Sequence, residues 1–142
     1  MMFILDTNVV SELRKARDGK ADPNFVQWLR TVVAAELFLS AITVMELEIG
    51  VLQMERRDPV QGNILRQWLD RHVIPEFLGR ILSIDFDVAG HCARLHVPNR
   101  RNERDAMIAA TAIVHGMTVV TRNVVDFETT GALVLNPWNA MA

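Results

Sequence analysis

The chain has 142 residues, 50% of them hydrophobic and 23% charged, which excludes a disordered polymer and fits one domain, 1–142, able to bury roughly 70% of its unfolded surface. No apolar run approaches the ~18 residues of a membrane span, and the N-terminus lacks the basic lead-in of a signal peptide, so a cytoplasmic protein with no membrane partner is expected. The single cysteine, Cys92, rules out an internal disulfide and, with no His or Cys at ligand spacing, argues against zinc.

The first element is the uninterrupted apolar run Met2-Phe3-Ile4-Leu5, which reads as a strand covered on both faces and stops at Asp6. A short helix is expected from Thr7 to about Arg14, then a break at 17–20. Asp22-Pro23 starts a second helix, with Asp as cap and Pro in the first position. Leu37-Phe38-Leu39 is a second strand, followed by a helix over about 43–56. Gly50 costs that helix roughly 1 kcal/mol relative to Ala, and close approach of another backbone would explain it, although packing suffices. Asp58-Pro59 opens the other arm of a helical hairpin, which Pro75 is expected to end.

Residues 81–84 form a third strand, and Asp85 caps a helix running to about His96. A basic segment leads into an Ala-rich helix over 103–115 that Gly116 closes. Strands at 117–121 and 132–135 complete the pattern. Strands alternating with helices imply a parallel sheet between helical layers: an α/β fold, a three-layer α/β/α sandwich with a five-stranded sheet.

In that architecture helix N-termini collect at the sheet edge where strands end. Four acids are then expected at one edge. Asp6 closes the first strand, Glu46 and Asp105 lie in the first turns of their helices, and Asp126 follows the fourth strand. Each of the last three also sits three residues after Thr43, Asn102 or Asn123, a capping position that is the simpler reading of any one acid alone. Together, four like charges repel by on the order of 1 kcal/mol per contacting pair even in water, unless a cation lies between them. Magnesium or manganese suits carboxylate oxygens.

Asp6-Thr7-Asn8, Glu46 within Ile42-Thr43-Val44-Met45-Glu46-Leu47, the run from Asp105 to Ala110, and Thr121-Arg122-Asn123 through Asp126-Phe127 resemble the ordered motifs of PIN-domain proteins. The resemblance covers essentially the whole chain and extends to Asn136-Pro137-Trp138 in the VapC-type toxins, including their FitB branch. It implies a Mg2+- or Mn2+-dependent endoribonuclease that hydrolyses RNA with metal-activated water. It further implies a homodimer, and a cognate antitoxin that neutralises the toxin and carries the hetero-oligomer to operator DNA.

Carried over residue by residue, Asp6, Glu46, Asp105 and Asp126 are the catalytic and metal-holding acids, with Asp126 at the most variable position. Thr7, Asn8, Thr121 and Asn123 are supporting polar groups. Glu103, beside Arg104, departs from the more apolar lead-in of relatives. Glu48, Asp85, Asp87 and Glu103 match no catalytic position and read as surface or capping acids.

A net charge of −2 is unusual for a protein that handles RNA, so local bunching matters more than the sum. Arg100, Arg101 and Arg104 immediately precede Asp105 and are the candidates for gripping RNA phosphates. Trp28 and Trp68 read as core, and Trp138 as an anchor for the tail. Met45, Leu52 and Met54 exceed what one buried face needs, which either a larger core or a dimer or antitoxin contact on the hairpin would explain. Two other classes compete with the nuclease. One is a catalytically degenerate PIN-fold binding module; the other is a phosphatase or phosphotransferase, which would need a second Asp where Asn8 stands.

Overall fold

A computed structural model describes residues 1–141. Strands β1 (Phe3–Leu5), β2 (Leu37–Ser40), β3 (Ile81–Leu82), β4 (Thr118–Val120) and β5 (Val134–Leu135) form one parallel sheet in the order β3-β2-β1-β4-β5. β1 is central, pairing Ile4 with Phe38 on one side and Leu5 with Val120 on the other.

Alternation along β1 builds both sides of the core. Phe3 and Leu5 face a cluster with Val9, Phe25, Trp28, Leu47 and Val73, whereas Ile4 faces Ile42, Ile108, Ala109 and Phe127. Each fully buried large side chain contributes about 1.5–3 kcal/mol through removal from water. The first cluster lies under helices α1 (Thr7–Arg17), α2 (Pro23–Leu29), α3 (Ala41–Arg57) and α4 (Pro59–Trp68). On the opposite face α7 (Glu103–His115) packs on the sheet, and α6 (Phe86–Leu95) packs on α7 through Val88, Cys92, Ala106 and Ala110. This is the expected three-layer sandwich.

Local chemistry accounts for the boundaries. Asp22 accepts the amides of Asn24 and Phe25, Asp58 that of Gln61, and Asp85 that of Val88, caps worth about 1 kcal/mol each. Gly116 ends α7 in the left-handed conformation at φ +67°, which a side chain would resist.

Pro75 does not end the second hairpin helix. The chain widens through a π turn at Leu69–Val73, where the Ile74 amide reaches back to Leu69, and continues as α5 (Ile74–Phe77). The close backbone approach also lies elsewhere than at Gly50, where an added Cβ would meet nothing within 4 Å. It lies at Gly62, whose added Cβ would stand 2.4 Å from the Glu55 Cα where α3 and α4 meet. Of the surplus hairpin side chains, Met45 and Leu52 are exposed and Met54 is half-buried. No helix among the described residues is long and apolar enough to cross a membrane.

Candidate active site

Asp6 follows β1 directly and caps α1, so the sheet and the helix both fix it. Its Oδ1 accepts the Thr7 amide at 2.8 Å. Its Oδ2 accepts the Thr121 hydroxyl at 2.8 Å and the Asn8 amide nitrogen at 3.3 Å. Thr121 is reached because β4 neighbours β1 and stops at the same level. The Thr121 oxygen in turn accepts the Asn123 amide at 3.0 Å. Burial pushes the Asp6 carboxyl above its ordinary range; the Thr121 and Thr7 hydrogen bonds pull it down, and the charges of Glu46 and Asp126 add to the rise.

Glu46 arrives by a different route from the one the sequence implied. α3 begins at Ala41, capped by Ser40 on the Ile42 amide, so Thr43 is no cap and Glu46 lies in the second turn. Thr43 is instead buried with its hydroxyl 3.5 Å from the Leu5 carbonyl. Glu46 is held by the Thr7 hydroxyl, which donates to Oε1 at 2.7 Å, while Oε2 lies 3.5 Å from the Arg104 guanidinium.

Asp105 occupies the first turn of α7, as expected, with its amide bonded to Asn102 at 3.1 Å. Asp126 ends a short 3-10 turn, Val124–Asp126, where Asn123 makes no side-chain cap. Neither carboxylate accepts a hydrogen bond among the described residues. The Asp105 carboxyl is pushed up to about 6, first by burial and then by Asp6, Asp126 and Glu46. The four acids therefore share one electrostatic field.

That field is the test of whether a cation fits. The donors are all hard carboxylate oxygens, and the mutual repulsion that adds to the burial of Asp105 is what a divalent ion would neutralise. Among the described residues, no three acid, His or Cys side chains are grouped tightly enough to enclose one ion. Magnesium needs no such cage, since one or two carboxylates with several waters suffice. The residues present fit a hydrated hard cation.

The three basic candidates separate. Arg104 faces Glu46 beside an open cleft that Asn102, Glu103 and Asp105 complete. Arg100 pairs with Glu103, holding that carboxyl below its usual range. Arg101 is a clamp: its guanidinium donates to the Leu95 carbonyl at 2.8 Å and to the Thr129 hydroxyl and carbonyl at 2.6 and 2.9 Å. Three of its five N–H donors are thus engaged by the chain itself, which gives Arg101 a structural role beside the RNA contact expected of it. Arg122 was not among the candidates, yet its amide donates to Asn8 at 3.2 Å and its guanidinium lies over the Trp138 ring. Its position directly after Thr121 was the available signal.

Fold and acidic edge together define the class: the chain belongs to the PIN domain family, whose model matches residues 3–132. Among relatives, it is 37% identical to the VapC ribonuclease Y4jK of Sinorhizobium fredii, over 96% of this chain and 98% of that one. It is 35% identical to the toxin FitB of Neisseria gonorrhoeae, over 97% and 99% of the two chains. A solved structure of FitAB bound to an IR36 DNA fragment superposes with a TM-score of 0.87 at 34% identity, covering 99% of each chain.

Proposed function

We propose that this protein is the toxin of a toxin–antitoxin pair, an endoribonuclease that uses Mg2+ or Mn2+ to hydrolyse RNA phosphodiester bonds. The observation that carries the reading is the built acidic edge, in which Thr7 bonds both Asp6 and Glu46 and Thr121 bonds Asp6, with Asp105 and Asp126 near enough to feel their charge. Relatives named as VapC ribonucleases and as the toxin FitB support the activity, and FitAB bound to DNA supports an antitoxin partner that brings the complex to operator DNA. Homodimerisation belongs to the same proposal, with the exposed Met45 and Leu52 on α3 as a surface for it.

Asp6, Glu46, Asp105 and Asp126 would hold the ion. When bound, it supplies Lewis acidity, shielding phosphate charge and lowering the pKa of water. The chain's own part is orientation. Thr121 and the Thr7 amide fix the two oxygens of Asp6, and the Thr7 hydroxyl fixes Glu46. Asn8 ties Asp6 to the start of the 122–126 segment, and the backbone N–H of Asn123, rather than its side chain, donates to the Thr121 oxygen.

The test is cleavage of single-stranded RNA by the purified protein with Mg2+, with Mn2+ and with chelator. Cleavage that either metal supports and chelator abolishes is expected. Cleavage indifferent to chelator would overturn the metal role, and metal binding without cleavage would favour the degenerate binding module.

A further inference from the structure

We propose that Arg122, held over Trp138, grips a backbone phosphate of the RNA beside the acidic edge and so positions the strand for cutting. This rests on the ribonuclease reading and adds to it a residue outside the acids.

Four arginines lie near the acids in sequence, and three already have polar partners. Arg100 pairs with Glu103, Arg101 with Leu95 and Thr129, and Arg104 with Glu46. Arg122 is exposed, and its guanidinium has no carboxylate or hydrogen-bond partner among the described residues. It has a cation–π contact instead, with its guanidinium carbon 5.4 Å from the centre of the Trp138 ring.

The platform is itself fixed. The Trp138 amide donates to Asn136 at 2.9 Å, the Asn24 side chain donates to the Trp138 carbonyl at 2.9 Å, and the ring packs 5.3 Å from that of Phe25. A cation–π contact consumes no N–H donor, so the guanidinium fork stays available to bond two phosphate oxygens at once.

Its place follows from Asn8. One amide side chain donates to Asp6 at 3.3 Å and accepts the Arg122 amide at 3.2 Å, so the backbone of Arg122 is one side chain away from the acid. That puts a cationic residue, with no carboxylate partner among the described residues, beside the acidic edge. It supplies the attraction for a polyanion that a net charge of −2 does not.

The test is cleavage of a labelled single-stranded RNA in Mg2+ across a range of salt. Arg122→Ala should raise KM about tenfold, more than it lowers kcat, and flatten the slope of log kcat/KM against log salt by about 0.7, the value for one single-strand phosphate. Arg122→Lys should keep the slope and recover part of the KM. Trp138→Leu should keep the slope and raise KM by an intermediate factor, because the charge remains and only its support is lost. A parental KM and slope in Arg122→Ala, with the parent active, would overturn the phosphate grip alone. A parent that neither binds nor cuts RNA would overturn the ribonuclease reading and this inference with it.

Discussion

The Thr7 hydroxyl donates to Glu46 at 2.7 Å across 39 residues of sequence, joining the start of α1 to the second turn of α3. The same residue's amide holds Asp6, so one threonine orients two of the acids. Thr7→Val should lower stability by about 1 kcal/mol and weaken Mn2+ binding about 10–100-fold, with Thr7→Ser restoring both. Calorimetric titration reads the affinity. Parental affinity in Thr7→Val would mean that Glu46 is oriented without it.

Asp105 sets a pH dependence with a definite sign. Its folded carboxyl stands at about 6 against an ordinary 3.8, so between those values the native state binds more protons than the unfolded chain. Stability in chelator therefore falls as pH rises through that window. Asp105→Asn should flatten the profile and, above pH ~6, raise stability by on the order of 1 kcal/mol, allowing for the solvent that screens this half-buried group. Metal affinity should strengthen over the same window, because the ion competes with the proton. Thermal melts against pH, with and without Mg2+, check both. A less stable Asp105→Asn at neutral pH would mark an ordinary helix-terminus acid.

Arg101 should behave as a structural residue. Arg101→Ala removes contacts to Leu95 and Thr129, and should cost about 1–3 kcal/mol in a denaturant melt. The salt slope of RNA cleavage by the folded variant should match the parent. A flatter slope would return Arg101 to the phosphate contacts.

Two glycines of the hairpin should respond in opposite directions. Gly62→Ala drives a Cβ to 2.4 Å from the Glu55 backbone and should destabilise by about 1–3 kcal/mol. Gly50→Ala meets nothing within 4 Å and should stabilise α3 by roughly 0.5–1 kcal/mol. Paired melting curves separate them.

What was legible in the sequence had a local cause. β1 showed as an unbroken apolar run because both its faces are covered, and the Asp-Pro pairs marked α2 and α4 because the cap and the fixed φ act within one turn. Asp6 was legible as the acid at the end of a central strand. The partners of the acids were not legible, since the Thr7–Glu46 and Thr121–Asp6 bonds depend on which strands neighbour β1. The start of α3 was misplaced because Ser40 and Thr43 are both plausible caps, and only the fold shows that Thr43 is buried against Leu5. The contacts of Arg101 and Arg122 were not legible for the same reason: a charge run is local, whereas a clamp on Thr129 and a seat on Trp138 are tertiary.

In the proposed reaction the acidic edge built around Asp6 cuts RNA with a divalent cation. Single-turnover cleavage of single-stranded RNA by Asp6→Asn at saturating Mg2+, on protein shown to be folded by its melting curve, tests it most directly. The predicted rate is about a hundredth of the parent's or less. Cleavage at the parental rate by the pure variant would mean that Asp6 holds no ion needed for cutting.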